Sequence, residues 1–299
     1  MSLVSLISGR ERDSSYVEEL LRPLSPKPSD YVLEAPFGTS CRVPRLSGGL
    51  GPAIVSRAFS EAMRLEVARA SGTGSKLLER LEGKDGYRSL SLLRPGVAKA
   101  IEPEYRDSLE RYRLYVGGRM ELGEVMPAAL IMGKLSLVSS RGYFDGEAKD
   151  LVGVPDPRAT DELLALSRLF QEFLKLKFPA KIPDGIVYTP CFGSLSRGMG
   201  GASADIYLNS YFTDSSVASS TMGLSRFSKK AAALLVLPEA FKILRGSKTR
   251  GWKGAALYMA RMGAMYYLDA GSFLNTRRAE MIRAERGMIR RFVGRQIEV

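Results

Sequence analysis

The chain has no histidine and only two cysteines, Cys41 and Cys191, in 299 residues. The cysteines are far apart in the sequence and form no Cys-x-x-Cys motif. Protein zinc sites are usually built from histidine and cysteine, and Ser/His or Cys/His catalytic pairs need an imidazole. The usual sites of these kinds are therefore excluded, and any chemistry must use carboxylates, lysines, hydroxyls or a hard metal ion.

Long apolar segments are also missing from the sequence. No run of about 18 or more consecutive apolar residues occurs, which gives no support for a membrane-spanning helix. The first residues, MSLVSLISGRERDSS, lack the charged, apolar and small-residue order of a signal peptide. We therefore expect a soluble cytoplasmic protein with no membrane partner, whose 45% hydrophobic content suffices for a substantial core.

Side-chain amides are scarce, and arginine greatly outnumbers lysine. The only amides are Asn209, Asn275, Gln171 and Gln296, a composition typical of a thermophilic prokaryote, such as an archaeon. The net charge of +12 favours a polyanionic partner, and nucleic acid is the commonest one. Because thermophiles also use arginine for stability, the charge is only partial evidence for nucleic-acid binding.

Two differently patterned regions follow one another along the chain. Residues 1–155 predict a mainly helical N-terminal region, which begins with a proline-rich, extended arm. Residues 156–299 predict an α/β core in the order helix, three strands, helix, strand, ending in a basic C-terminal helix. Thr160 is the predicted cap of the first core helix. The segment DLVGVPDPRAT marks the boundary, and a long loop within one domain is the alternative.

The segment GGASADIYLNSYFTDSS, residues 200–216, contains the candidate site. A two-residue turn at Asn209-Ser210 predicts a hairpin in which Asp205 lies opposite Asp214. Strand alternation then places both acids on one face, together with Ser203 and Ser216. Carboxylates about 4.5–5.5 Å apart at Cβ repel each other unless a cation, a proton or solvent intervenes. One or two carboxylates commonly hold Mg²⁺, although two acids on a solvated hairpin are the simpler alternative.

The same region resembles a known family. The stretch PCFGSLSRGMGGASADIYL, then FTDSS and LYMARMGAMYYL, resembles an archaeal and bacterial group that looks like part of the PD-(D/E)XK nuclease-like superfamily. In that group Asn-Pro-x-Phe-Gly, Ser-Arg and Gly-Gly-Ala-Asp-Ala-Asp precede Ile-Asp-Ile-Lys. The resemblance covers about Pro36 to Asp269. It implies an αβββαβ core with a mixed sheet, in the element order already predicted.

The resemblance assigns roles to the two acids and also shows two departures. Asp205 matches the metal-binding aspartate, and Asp214 matches the acid of the (D/E)-x-K element, so both are the implied catalytic residues and Mg²⁺ ligands. Ser203 stands where the family has its first aspartate, and Ser216 stands where it has lysine. A serine cannot activate the attacking water or stabilise developing negative charge as that lysine does. Weak Mg²⁺ binding, with weak or lost cleavage, is therefore implied.

Other basic residues near the hairpin can supply what Ser216 lacks. Some members of the superfamily relocate the lysine to the following helix, where this chain has Lys229 and Lys230. A basic surface on an amphipathic helix is the alternative for these two residues. Arg197 and Arg226 are candidate nucleic-acid contacts, and Arg197 could instead pair with Asp205.

Three hypotheses follow from the sequence. The first is a nucleic-acid-binding protein, with DNA as the expected partner, whose nuclease-like site cleaves weakly or not at all. The second is an active Mg²⁺-dependent nuclease in which Lys229 or Lys230 acts as the relocated lysine. The third is a non-catalytic scaffold or assembly protein, and a homodimer is left open for all three.

Overall fold

A computed structural model describes most of the chain. The described residues are 22–48, 51–154, 156–190, 204–218, 224, 227–228, 230–232, 234, 252–280, 282–284 and 286–287. Of the residues singled out from the sequence, Arg197, Ser203, Arg226 and Lys229 lie outside these ranges.

Helices dominate the described residues from 51 to 177, as the apolar periodicity predicts. Short 3₁₀ turns at Arg22–Leu24 and Pro28–Asp30 precede them. The helices are α1 (Gly51–Ser71), α2 (Gly74–Leu78), α3 (Glu82–Leu93), α4 (Pro95–Ala100), α5 (Glu102–Val116), α6 (Leu122–Arg141), α7 (Ala148–Val152) and α8 (Pro157–Lys177). After the last strand comes α9 (Ala270–Asn275), and residues 278–280, 282–284 and 286–287 are also helical.

Helix α8 begins earlier than the sequence predicts. Its cap is Asp156, whose side chain accepts a hydrogen bond from the backbone N–H of Arg158 at 3.0 Å. Pro157 occupies the first turn, where its missing N–H costs nothing. The prediction of Thr160 as the cap is wrong, because a capping aspartate followed by proline is already present one turn before it.

The described strands form one mixed six-stranded sheet, in the order β1-β6-β5-β4-β3-β2. Strands β4 and β5 are parallel, and every other neighbouring pair is antiparallel. The strands are β1 (Val32–Glu34), β2 (Val187–Tyr188), β3 (Ile206–Leu208), β4 (Tyr211–Ser216), β5 (Gly254–Met259) and β6 (Ala264–Asp269). The expectation of an α/β protein with a mixed sheet is confirmed, and the extended arm supplies its edge strand β1.

The register of the β3–β4 hairpin is the predicted one. Ile206 pairs with Thr213 and Leu208 pairs with Tyr211. Asn209 and Ser210 have φ values of 49° and 69°, so both turn residues are in the left-handed region that a type I′ turn requires. This local geometry fixes which residues of β3 and β4 lie opposite each other.

The sheet is covered on both faces by separate apolar clusters. On one face Phe59 of α1 and Phe170 of α8 pack against Tyr258 of β5, with ring centroids 6.1 and 4.8 Å from the tyrosine. On the other face Phe212 and Leu257 belong to a cluster completed by the helical residues near 230, by α9 and by the arm. The first cluster contains residues from both sides of position 155, so the helical region and the sheet share one core.

Helix α6 is the one described helix that is long and apolar enough to cross a membrane. In its most apolar window, 61% of the residues are buried inside the protein. The helix packs against α1, α3, α5 and α8, which supply its apolar neighbours. It is therefore a core helix of the helical region.

Arg261, in the turn between β5 and β6, ties distant parts of the chain together. It is 2% exposed, and its guanidinium donates to the Val217 carbonyl at 2.6 Å and the Val43 carbonyl at 3.0 Å. It also forms an ion pair with Glu162 of α8. The arm, the end of β4 and α8 are thus joined through one side chain.

Helices α3 and α6 approach closely at a glycine, which gives a test of the packing. A Cβ atom on Gly86 would lie 2.0 Å from the backbone oxygen of Leu135. We expect Gly86→Ala to lower the free energy of unfolding by roughly 1–3 kcal/mol, although alanine is the better helix former. Urea unfolding checks this. The matched control is Gly96→Ala in α4, where nothing lies within 4 Å and stability should not fall. Equal stability of the two variants would contradict the close packing.

Candidate functional site

The structure places three of the predicted site residues beside one another. Asp205 immediately precedes β3, Asp214 lies in β4, and Lys230 lies in the helical stretch that follows the hairpin. Asp205 and Asp214 are 9% and 7% exposed. The solvated-hairpin alternative is therefore wrong, because both acids are buried.

Asp214 has a protein partner at each carboxylate oxygen. Oδ1 accepts a hydrogen bond from the backbone N–H of Asp205 at 3.0 Å. Oδ2 lies 2.5 Å from Nζ of Lys230, whose side chain is 20% exposed. Burial raises the pKa of Asp214 to about 6, the Lys230 charge opposes this rise, and the nearby Asp205 adds to it. Asp214 is thus a buried acid held by a lysine.

Asp205 is held by hydroxyl and backbone donors. Its Oδ2 accepts hydrogen bonds from the N–H and the hydroxyl of Ser215 at 2.9 and 2.8 Å. Ser60 of α1 donates to the same oxygen at 3.1 Å, and its hydroxyl lies 3.0 Å from that of Ser215. Three donors converge on one carboxylate oxygen, which fixes its position against α1.

The two carboxylates are adjacent, but they do not share a face of the sheet. Ser215 follows Asp214 in β4, so the side chains of Ser215 and Asp214 point to opposite faces of the sheet. Asp205 turns towards Ser215 and α1, whereas Asp214 turns towards Lys230. The predicted common face is wrong because β3 begins only at Ile206 and the chain bends at Asp205. For the same reason Ala204 packs in the second apolar cluster, not beside Ile206.

Ser216, at the position where the family resemblance expects lysine, forms hydrogen bonds with nearby backbone. Its hydroxyl accepts a hydrogen bond from the N–H of Ala218 at 3.2 Å. Its carbonyl accepts from the N–H of Ala260 at 2.8 Å. The side chain thus stabilises the end of β4, and the amine that pairs with Asp214 comes from Lys230.

The donor set fits a magnesium ion poorly. Octahedral Mg²⁺ is usually held by carboxylates that reach one point, with waters completing the shell. Here the two carboxylates face different sides of the sheet, and their bonded oxygens are engaged by lysine, hydroxyl and N–H donors. Within the described ranges, no group of three or more His, Cys, Asp or Glu residues is arranged to hold a metal ion.

The sequence interpretation missed a second layer of residues behind Asp205. Thr189, just after β2, donates its N–H to the Asp205 carbonyl at 3.1 Å. Its hydroxyl accepts from Arg64 of α1 at 2.8 Å. Thr189 has φ of 45°, a strained conformation for a β-branched residue. The arginine and the hairpin thus hold the chain in this conformation next to the acid pair.

Arg64 itself is fully buried between two glutamates. It lies 3.3 Å from Glu61 and 3.0 Å from Glu82. Burial raises the pKa of Glu61 to about 7, although the Arg64 charge opposes this. Burial acts in the same direction on Glu82, but Arg64 and Arg57 outweigh it and hold that pKa at about 2. The spacing of Glu61 and Arg64 on α1 was visible in the sequence, but their distant partners were not.

Comparisons of the chain with protein-family models, with curated proteins and with solved structures find no match.

Proposed function

We propose that the chain is a nucleic-acid-binding protein, with DNA as its expected partner, built on a PD-(D/E)XK nuclease-like core whose cleavage is weak or lost. The element order supports this core. Helix α8, strands β2 to β4, the helical residues near 230 and strand β5 follow one another, and β5 is parallel to β4. Strands β1 and β6 extend the sheet at one edge.

One observation carries the proposal of weak or lost cleavage. At the hairpin both acids are buried, and protein donors contact both oxygens of Asp214 and Oδ2 of Asp205. Ser216 supplies no amine at the family position. The two carboxylates also turn to different faces of the sheet, an arrangement that supports weak or lost cleavage because a shared ion needs both at one point.

The partner is inferred from charge. The chain carries +12, while Arg64 and Arg261 are neutralised in the interior by Glu61, Glu82 and Glu162. The excess positive charge therefore resides on other basic residues. Phosphate contacts by such residues release counterions, so binding should weaken steeply with salt.

A specific observation favours the active Mg²⁺-dependent nuclease as a second candidate. Lys230 lies 2.5 Å from Asp214 and is thus the described lysine that could replace the one missing at Ser216. In this alternative the acid pair must reorient towards a common point before an ion can be held. Binding without cleavage separates the first candidate from the second.

The test combines binding and cleavage on the full chain. Fluorescence anisotropy with duplex and single-stranded DNA at about 50 and 200 mM salt should show binding that falls at least tenfold with salt. Plasmid nicking with Mg²⁺ or Mn²⁺ should be undetectable or far below that of a standard nuclease. Asp214→Asn and Lys230→Met should bind DNA as the wild type does, and thermal melting would confirm that they fold.

The possible outcomes distinguish all three hypotheses. Nicking that both variants abolish, while the exposed-site control Asp107→Asn keeps it, would overturn the first candidate and establish the nuclease. Absence of binding to either DNA at low salt would overturn both, and a non-catalytic scaffold would then be the conclusion.

A further inference from the structure

A large cleft lies in the helical region, lined by residues other than the acid pair and its partners. Its volume is about 830 Å³, and it is bordered by α1, the start of α6, α8 and residues 178–182. Small-molecule sites in proteins span roughly 300–1,000 Å³. The cleft is thus large enough for a ligand of nucleotide size.

The floor of the cleft is a closed polar network. Glu66 of α1 is 4% exposed and accepts hydrogen bonds from the Tyr115 hydroxyl and, at 2.7 Å, from Gln171 of α8. The Arg69 guanidinium lies 4.5 Å from the centre of the Tyr115 ring and donates to the Met120 carbonyl at 3.1 Å. Burial raises the pKa of Glu66, and the hydrogen bonds from Tyr115 and Gln171 oppose this rise.

One of the two acids on the α6 wall is engaged at the start of that helix. The Glu124 carboxylate accepts a hydrogen bond from the backbone N–H of Glu121 at 2.8 Å. This bond removes part of its capacity to bind a further donor. Glu121 also lines the cleft, and its side chain is exposed.

The two cations on the α8 wall stand at exposed positions. Arg168 and Lys175 are exposed, and neither forms an ion pair with any residue in the described part of the chain. They lie seven positions apart, two helical turns, so both face the same side of α8. Lys181 is different, because it pairs with Asp184 at 3.0 Å. The charged residues that line the cleft are four cations, Arg69, Arg168, Lys175 and Lys181, and three acids, Glu66, Glu121 and Glu124, so the lining has a small excess of positive charge.

An apolar surface continues from these cations. Leu122, Leu174, Phe178 and Ile182 line the cleft between its polar walls. Leu174 and Ile182 are buried, and Phe178 is half-buried. A ligand that uses both features must join a negatively charged group to an apolar or aromatic body.

We propose that this cleft binds a small organic anion of about nucleotide size. The anionic group contacts Arg168 and Lys175, and the body packs against Leu174, Phe178 and Ile182. Phosphate and carboxylate groups share the chemistry that the two cations recognise. The proposal does not depend on the nuclease-like function, because no residue of the acid pair takes part.

Calorimetric titration of the full chain tests the ligand class. The probes are AMP for a phosphate head and 4-phenylbutyrate for a carboxylate head, with adenosine and 4-phenylbutyramide as their neutral counterparts. At least one anion should bind at least tenfold more tightly than its neutral counterpart and than inorganic phosphate, which has no body. Whichever of the two anions binds more tightly identifies the head group that the cleft prefers. Equal binding of the anion and its neutral counterpart would overturn the proposal, as would no binding of either anion at millimolar concentration.

A pair of double variants tests the location. Arg168→Gln/Lys175→Gln should weaken binding of the preferred anion at least tenfold and leave the melting temperature unchanged. Arg88→Gln/Lys99→Gln removes the same charge from exposed positions that do not line the cleft, and it should leave affinity unchanged. An equal loss in both double variants would mean general charge attraction, and the assignment of this cleft would be wrong.

Discussion

Replacing Arg261 with methionine is expected to lower the free energy of unfolding by about 3–5 kcal/mol. The substitution keeps an unbranched apolar stem but removes the donors to Val43, Val217 and Glu162. The Glu162 carboxylate, whose side chain is fully buried, then loses its counterion and keeps the N–H groups of Leu46 and Ser47, at 2.8 and 2.7 Å. Leaving a buried charge without its counterion costs more than the net gain from the pair itself.

Urea unfolding measures this loss, and limited trypsin digestion gives an independent readout. Because Arg261 ties the arm to the core, the variant should be cut faster at Arg42 and Arg45 under native conditions. The matched control is Arg106→Met, which breaks an ion pair on the exposed face of α5, where the arginine is 75% exposed. The free energy of unfolding of this control variant should stay within about 0.5 kcal/mol of the wild-type value. If the Arg261 and Arg106 variants lose the same free energy of unfolding, the buried contacts of Arg261 do not stabilise the fold as described.

Arg64→Met is expected to lower the free energy of unfolding by a similar amount, about 3–5 kcal/mol, and this loss should depend on pH. The variant leaves Glu61 and Glu82 together in the interior with the cation between them removed. At acidic pH the carboxyls can take up protons and remain buried without charge. The loss should therefore be smaller near pH 5 than near pH 8.

The wild-type pH dependence has a definite sign. Because the folded pKa of Glu61 is raised to about 7, folding favours its protonated form. This contribution is complete below the unfolded pKa and is lost as the pH rises through 7. Glu82, whose folded pKa is held at about 2, acts in the opposite sense. Its contribution to stability is lost as the pH falls from about 4.5 towards 2. Glu61→Gln should reduce the change in the free energy of unfolding between pH 5 and 8.

A double variant provides the control. Glu61→Gln/Arg64→Met removes the fully buried acid together with its cation, so it should be more stable than Arg64→Met alone. Urea unfolding at both pH values measures the difference. A double variant that is less stable than the single one would show that the uncompensated carboxylate is not the source of the loss.

The hairpin was predictable because its determinants are local. Asn209 and Ser210 favour a tight turn, and the turn fixes the pairing of β3 with β4 from sequence alone. The side of the sheet that Asp205 faces depends on the bend before Ile206, on Ser60 and on Ser215. Only folding brings α1 to the hairpin, so strand alternation extrapolated past the end of β3 gave the wrong face.

The buried arginines were also beyond sequence reasoning. Arginine is a residue type usually found at the surface, so the sequence gives no sign that Arg64 and Arg261 are buried. The net charge counts them together with the arginines that could bind a polyanion. Their partners lie at Glu82, Thr189, Glu162 and Val43, far away along the chain. The number of arginines therefore overstates the basic surface by these two residues, although the glutamates buried with them leave the net charge nearly unchanged.

The order of the strands has a consequence for how the protein emerges from the ribosome. Edge strand β1 spans Val32–Glu34, whereas its hydrogen-bonding neighbour β6 spans Ala264–Asp269 and is therefore made much later. Translation at roughly 5–20 residues per second leaves Val32 to Glu34 unpaired for roughly tens of seconds. Helices α1 to α8 can collapse during this interval, since their contacts are mostly with one another. Completion of the sheet must wait until β6 has been synthesised, when it can pair with a strand made long before it.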